Sequence, residues 1–590
     1  MFRKNQRHLQ PALISNVQQL PDRQRQRLEQ SWAGVFFHEV FCRLNEEPFA
    51  VLYADLPSRP NVPVNLLVGL ECLKSGFGWS DEELYDSFLY NLQVRYALGY
   101  QELGQGEFDI RTLYYFRQRL SRYSQETGIN LLDQAFEQIT DKQLVAFELK
   151  TGKQRMDSTQ VGSNIRQQGR LQLLVEILQR VQRMLGQSDQ ERLAEVFEPY
   201  LHGHPGWYVY RLKKEEFATH TEQVGRVMLD LLAELKVGYG ECKEYQMLGR
   251  VFGEHFRVVE EQVKAREQKE LSACSLQSPD DWEATIRDKG NGLHQGYVAN
   301  LSETCDPDNP FQLITKVQAA PNHTDDPLLL LDALPNLVER TDLETLYTDG
   351  GYGGDAVDQL LGKNHVQMLQ TGIRGTPLDP NKLNMVDFHF QCSETGQPLT
   401  VTCPHGQTLK VELGQKKKGF IARFSVSVCQ TCPFQQAQLC PTRLRKRIPF
   451  YGLYFMDYRL RVTLRRQQNA VFMKTKQNLR SAVEATVRAV KHPFPKGKLP
   501  VRGRFRIFCM LIGSAIMNNV RQIQRHLARQ IRTKTKSKEK NLSLSSFCLS
   551  SWQWFQSFLR LGLALDCCYY VVFAGESYFF FQKRIPSRPA

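Results

Sequence analysis

The sequence predicts an α/β fold built on a mixed sheet, and three observations point to it. Strand-like runs occur at 143–157, 282–287, 296–301, 311–317, 343–349 and 365–371. Helical spacing separates only the last three, at 326–338 and 355–362. Strands joined directly favour antiparallel pairing and strands joined through helices favour parallel crossovers, so antiparallel neighbours come first and parallel ones later. Third, two stretches interrupt the pattern: 166–275 has long helical patterns, and 375–457 has short strands and clustered cysteines, so both read as insertions.

The elements follow in order. Residues 1–45 form an arm rich in Gln and Arg, with helical spacing from Leu20 to Glu46. Residues 46–142 read as a helical N-terminal domain. Pro60 and Pro63 precede an apolar run from Val64 to Leu73 at helical spacing. Ser80 and Glu83 have capping-box spacing, and Leu84, Phe88, Leu89 and Leu92 follow as a core face. Between Phe108 and Arg122, aromatic residues sit among Arg111, Arg117, Arg119 and Arg122. That helix fits a DNA-contacting role in a helix-turn-helix manner, and equally an amphipathic helix with a charged outer face. The sheet occupies 143–165 and 276–374. Within the helical insertion, 171–185 and 222–235 are the clearest helices. Residues 458–530 return to the core, with one long helix over 459–492 ended by Pro493 and an apolar helix over 507–516. Residues 531–590 are a tail, basic and then aromatic.

At 590 residues, the chain exceeds what a single core supports, so several domains or large insertions are expected. With 42% hydrophobic and 23% charged residues it is globular. A net charge of +14 and a pI near 9.1 favour a polyanionic partner. The polar start, MFRKNQRHLQ, has no apolar signal region, and no run of apolar residues is long enough to span a bilayer. A cytoplasmic location without a membrane partner is expected. In that reducing compartment the 14 cysteines are thiols or metal ligands rather than disulfides. Cys403, Cys429, Cys432 and Cys440 have the spacing of a structural zinc site, with His405 as a substitute ligand. The alternative is a set of reduced, partly buried thiols.

The stretch 478–491 reads as helix, with Arg480, Glu484, Arg488 and Lys491 on one face and Val483, Val487 and Val490 toward a core. One carboxylate in a row of cations suits a metal ligand beside a polyanion. Asp157 and Asp349 each fall at the end of a strand-like run, where open α/β sheets build sites. Singly, each Asp is equally a turn former or helix cap, and Glu484 an ordinary partner of Arg480 or Arg488. Together, three carboxylates on separate elements could hold two Mg²⁺ ions, with Mn²⁺ as substitute.

The spacing of Arg480, Glu484 and Lys491 resembles the signature helix of the DDE transposases of bacterial insertion sequences, in the group numbered four and five. The tyrosine position of that signature is Gln477 here. Asp157-Ser-Thr and Asp349-Gly-Gly-Tyr352, with 49–96 and 108–119, resemble the family numbered eleven eighty-two, over about residues 35–525. The resemblance implies a ribonuclease-H-like sheet, with Asp157 on the first strand, Asp349 after the fourth and Glu484 on a later helix. It implies that Asp157, Asp349 and Glu484 are catalytic Mg²⁺ ligands and that Arg480 and Lys491 contact DNA phosphates. Arg488, Arg111 and Arg117 are further candidate DNA contacts. The implied activity is cleavage at the terminal inverted repeats of an insertion sequence and joining of the 3′-hydroxyls to target DNA, by a homo-oligomer associated with the nucleoid. The rival readings are a catalytically inactive DNA-binding protein derived from a transposase, and a metal nuclease that joins nothing.

Overall fold

A computed structural model describes the chain apart from residues 11–13, 55–59, 289–291, 374–376, 394–395, 415–418, 446–448, 475–478 and 563–590; for 472–474 and 535–562 it describes the backbone alone. Gln477 and the aromatic end of the tail lie outside the described residues. Met1–His526 form one unit and Leu527–Ala590 another. The arm, helical region, sheet and insertions, treated above as separate segments, therefore belong to one unit.

Four N-terminal helices matter for the site: α1 (Val64–Phe77), α2 (Asp81–Tyr90), α3 (Arg111–Thr127) and α4 (Leu131–Ala146). The capping box forms: the Glu83 amide donates to Ser80 Oγ at 3.1 Å and the Ser80 amide to Glu83 Oε2 at 2.7 Å. Helix α4 reaches Ala146, so the strand expected from residue 143 starts later, at Lys153. Its apolar stripe of Leu132, Phe136, Ile139 and Leu144 is buried and continues through the expected strand start. Lys316 meets Glu137 at 2.5 Å and Arg340 meets Asp141 at 2.6 Å, tying α4 to the sheet region.

Strand β1 (Lys153–Val161) precedes an insertion built from α5 (Arg170–Met184), α6 (Phe217–Glu234), α7 (Lys243–His255) and shorter helices. Their buried leucines and valines form a core of their own. The insertion is not wholly helical: β2 (Phe256–Val259) and β3 (Gln262–Ala265) close it as a hairpin. The main sheet then completes with β4 (Thr285–Asp288), β5 (Leu293–Thr304), β6 (Ile314–Pro321), β7 (Thr345–Thr348) and β8 (Gln367–Gln370). The order is β4-β5-β1-β7-β8, with β6 also paired to β5. Strands β4, β5 and β6 pair antiparallel, whereas β1–β7 and β7–β8 are parallel. Helices α8 (Asp326–Arg340) and α9 (Asp355–Lys363) make the crossovers and pack with Met156, Leu346 and Met368 in one core.

The cysteine-bearing segment forms a second, antiparallel sheet, ordered β13-β14-β12-β11-β10-β9: β9 (His389–Cys392), β10 (Pro398–Thr402), β11 (Thr408–Leu413), β12 (Phe420–Phe424), β13 (Arg443–Arg445) and β14 (Phe450–Phe455). The long helix expected over 459–492 is instead two, α10 (Asp457–Lys474) and α11 (Val483–Lys491). Arg480 therefore stands in the turn before α11, its carbonyl accepting from the Val483 amide at 2.9 Å. Helix α12 (Arg504–Gly562) follows. No helix of the described residues is long and apolar enough to cross a membrane.

Candidate active site

Strand register brings the two aspartates together. Arg155 on β1 lies opposite Tyr347 on the parallel strand β7. Two residues further along each chain are Asp157 and Asp349, at matching height and on the same side of the sheet. Neighbouring strands run about 4.8 Å apart, so the two carboxylates share one site. Asp157 is buried. Burial raises its pKa above the ordinary carboxylate value; Arg480 opposes that rise, and the charge of Asp349 adds to it.

Asp349 sits where β7 breaks into a short 3₁₀ turn, and its Oδ1 accepts from the Gly351 amide at 2.7 Å. A Cβ at Gly350 would come within 2.5 Å of the Gly372 carbonyl oxygen, so the turn has no room for a side chain there. Beneath the aspartates lies Tyr352, fully buried, its hydroxyl donating to Asn300 Oδ1 at 2.7 Å. Burial, then Asp326, Asp157 and Asp349, hold its phenol well above the ordinary value. Ser158 Oγ donates to Asp326 Oδ1 at 2.7 Å.

Helix α11 covers β1. Val483, Thr486 and Val490 are buried, and Val487 is half-buried. Arg480 connects two of the acids: its guanidinium donates to Asp157 Oδ1 at 3.2 Å and lies 3.7 Å from Glu484 Oε1. Glu484 is the outermost of the three, its side chain 59% exposed. Lys491 does not point outward as a free DNA contact. Its ammonium donates to Thr159 Oγ1 at 3.1 Å and to the Gln160 carbonyl at 2.8 Å, docking α11 on β1. Arg488 is exposed.

Sequence reasoning passed over the network beneath. Arg155 Nε donates to Glu303 Oε1 at 2.6 Å, and a second nitrogen donates to the Leu479 carbonyl at 2.8 Å. Glu303 Oε2 accepts from Thr486 Oγ1 at 2.7 Å. The available signal was Arg155 at i−2 from Asp157, which places both on one strand face.

The other candidates are scattered. Arg111 is exposed and pairs with Asp109 at 2.9 Å. Arg117 binds Glu71 at 2.7 Å and Asp81 at 2.6 Å, so its charge joins α3 to α1 and α2 rather than facing solvent unpaired. Beside it, a groove of 880 Å³ is lined by Tyr114, Arg117, Arg122, Arg502 and Arg506, among others. In the second sheet, Cys403, Cys429, Cys432 and Cys440 line one cavity of 20 Å³ together with His405. A turn and a helix end present three of them: the Gly406 amide donates to the Cys403 carbonyl at 2.9 Å, with Gly406 at φ +87°, and the Cys432 amide to the Cys429 carbonyl at 3.2 Å at the end of a short helix, Val426–Thr431. None of the four is in a disulfide. Burial, then the neighbouring thiols, raise the pKa of Cys429, while a hydrogen bond from Gln407 opposes them.

Among the described residues, no three His, Cys, Asp or Glu side chains stand close enough together to share a metal ion, in either cluster. The all-oxygen set of Asp157, Asp349 and Glu484 has the donor chemistry for a hard divalent cation, with Arg480 lying between two of its members. The thiol set has the chemistry for zinc. No family model, no curated protein and no solved structure matches this chain.

Proposed function

We propose that this chain is a DDE transposase, which cleaves the ends of an insertion sequence and joins their 3′-hydroxyls to target DNA. The observation that supports it best is the meeting of Asp157 and Asp349 on adjacent parallel strands beneath the segment bearing Arg480 and Glu484. The strand order also fits a ribonuclease-H-like sheet: three antiparallel strands, then two parallel ones on the far side of β1.

Asp157 and Asp349 would hold divalent cations, and Glu484, exposed and paired with Arg480, would close on them from α11. When bound, two Mg²⁺ ions, with Mn²⁺ as substitute, activate a hydroxyl nucleophile and stabilise the leaving oxygen of a phosphodiester. Arg480, paired with Asp157 at 3.2 Å, would lie beside the reacting DNA and contact its phosphate. Exposed Arg488, with Arg122 and Arg506 at the groove beside α3, would supply a basic path for the DNA backbone, in keeping with the charge of +14. A homo-oligomer assembled on the terminal inverted repeats belongs to the same reading, as does a structural zinc held by Cys403, Cys429, Cys432 and Cys440. A cytoplasmic, nucleoid-associated location follows from such a substrate.

The test is cleavage and strand transfer on linear DNA ending in the inverted repeats that flank the gene, with Mg²⁺ present. Asp157→Ala, Asp349→Ala and Glu484→Ala are each expected to lower cleavage by about 1,000-fold or more, on the scale of losing a metal or charge-stabilising group. Undiminished cleavage by all three variants would overturn the assignment. Cleavage without joining would favour a metal nuclease. Salt-sensitive DNA binding without cleavage by the wild-type chain would favour an inactive derivative.

A further inference from the structure

We propose that Arg155, Glu303 and Thr486 form a positioning clamp that fixes where Arg480 and Glu484 stand relative to Asp157. The inference rests on the reading of these carboxylates as the reaction site.

Arg155 and Glu303 lie directly opposite each other on β1 and β5. Their side chains are only 9% and 1% exposed, so this is a buried ion pair. Such a pair is seldom the most stable filling for its space, because apolar side chains of similar volume avoid the desolvation of two charges. What it supplies is direction: each lone pair and N–H must find its partner at one distance and angle. Here each member of the pair also bonds the segment that carries Arg480 and Glu484. Arg155 holds the Leu479 carbonyl, immediately before Arg480. Glu303 holds the Thr486 hydroxyl, two residues after Glu484. Both ends of the segment are thereby pinned to β1 and β5, and Lys491 adds a third attachment. A slip of α11 along the sheet would break all of these bonds together.

Arg155, Glu303 and Thr486 touch neither of the aspartates that would hold metal, so their effect on the reaction is through position. A displacement of about 1 Å at a reacting centre can cost about 100-fold in rate. The decisive variant is Thr486→Val, which keeps the shape and deletes the hydroxyl, with Thr486→Ser as rescue. Glu303→Gln is the stronger lesion. In the full-length chain acting on a linear DNA end, Thr486→Val should lower kcat by about 10- to 100-fold, leave KM for DNA unchanged, and raise the Mg²⁺ concentration needed for half-maximal rate. Amide exchange should quicken across 479–491 and nowhere else, and Thr486→Ser should restore each value. Wild-type kcat and Mg²⁺ requirement with unchanged exchange in Thr486→Val would overturn the clamp, whatever the folding of Glu303→Gln. A wild-type chain that cuts no DNA defeats the transposase reading alone; local exchange in the variant then decides the clamp by itself.

Discussion

The carboxylate cluster on the main sheet and the thiol cluster beside the second sheet both crowd acids of one kind, and they are assembled in opposite ways. Asp157 and Asp349 come together through strand register, and Glu484, from a third part of the chain, stands nearby through Arg480 and the buried ion pair beneath it. The four cysteines lie between residues 403 and 440, and a turn and a helix end present three of them. In the first cluster a guanidinium, Arg480, offsets the accumulated charge. In the second, the hydrogen bond from Gln407 is what opposes thiol crowding at Cys429. Distant acids are placed by long-range scaffolding, whereas local thiols are placed by a turn and a helix end.

The largest effect expected from that difference is on stability. Arg155→Met leaves Glu303 buried without its cation and should cost about 3–5 kcal/mol in denaturant unfolding. The pair on the second sheet, Arg423 with Glu412 at 3.0 Å, is about half exposed. Arg423→Met should cost less than about 1 kcal/mol there, and equal costs would break the contrast. Next, the wild-type chain should bind one zinc ion per chain and lose thermal stability in chelator. Cys429→Ser and Cys432→Ser should bind none and ignore chelator, while a zinc-free wild-type chain would leave the thiols as simple packing.

A smaller effect sharpens the acid side. The pKa of Asp157 is raised in the fold, so the stability linked to its protonation is fully present below about pH 3.8 and is lost as pH rises through its folded value. Asp157→Asn should therefore stabilise the metal-free chain at pH 7 relative to wild type, with the advantage fading toward pH 3.5; denaturant midpoints at the two pH values read this directly. The smallest effect is that of Arg488→Ala on an exposed helix face, within about 0.5 kcal/mol in stability. It should reduce the salt dependence of DNA binding by about one counterion, which equal salt slopes would refute.

Much of the main sheet was legible in the sequence because its strands are largely buried and carry apolar residues, and its crossovers carry helical stripes. The expected run at 296–301 lies inside the longer strand β5, and 326–338 lies inside α8. Where one period ran on into the next, the boundary failed: Gln143 and Leu144 complete the buried stripe of α4, although the composition there also suits a strand. The hairpin of β2 and β3 was hidden by helices on its N-terminal side. Asp349 was visible as an acid at a strand end; Asp157 was expected at one too, but β1 runs on to Val161 and places it mid-strand, where antiparallel pairing with β5 continues past it. Glu303 was not visible as a site residue, because a charged residue in a strand ordinarily signals a solvent face, and only pairing with Arg155 on the neighbouring strand allows it inside. The cationic face of 478–491 was legible as a pattern, but the docking of Lys491 on β1 depends on a partner more than 300 positions earlier.

The order of the clamp along the chain has a consequence for synthesis. Arg155 emerges first, Glu303 next and Thr486 last. Until residues 480–486 have been made, both aspartates exist, but the arginine that neutralises Asp157, the third acid and the last clamp partner do not. A chain that binds DNA while still being translated would carry an unfinished centre, and cutting would have to wait until the C-terminal segment has been synthesised and docked.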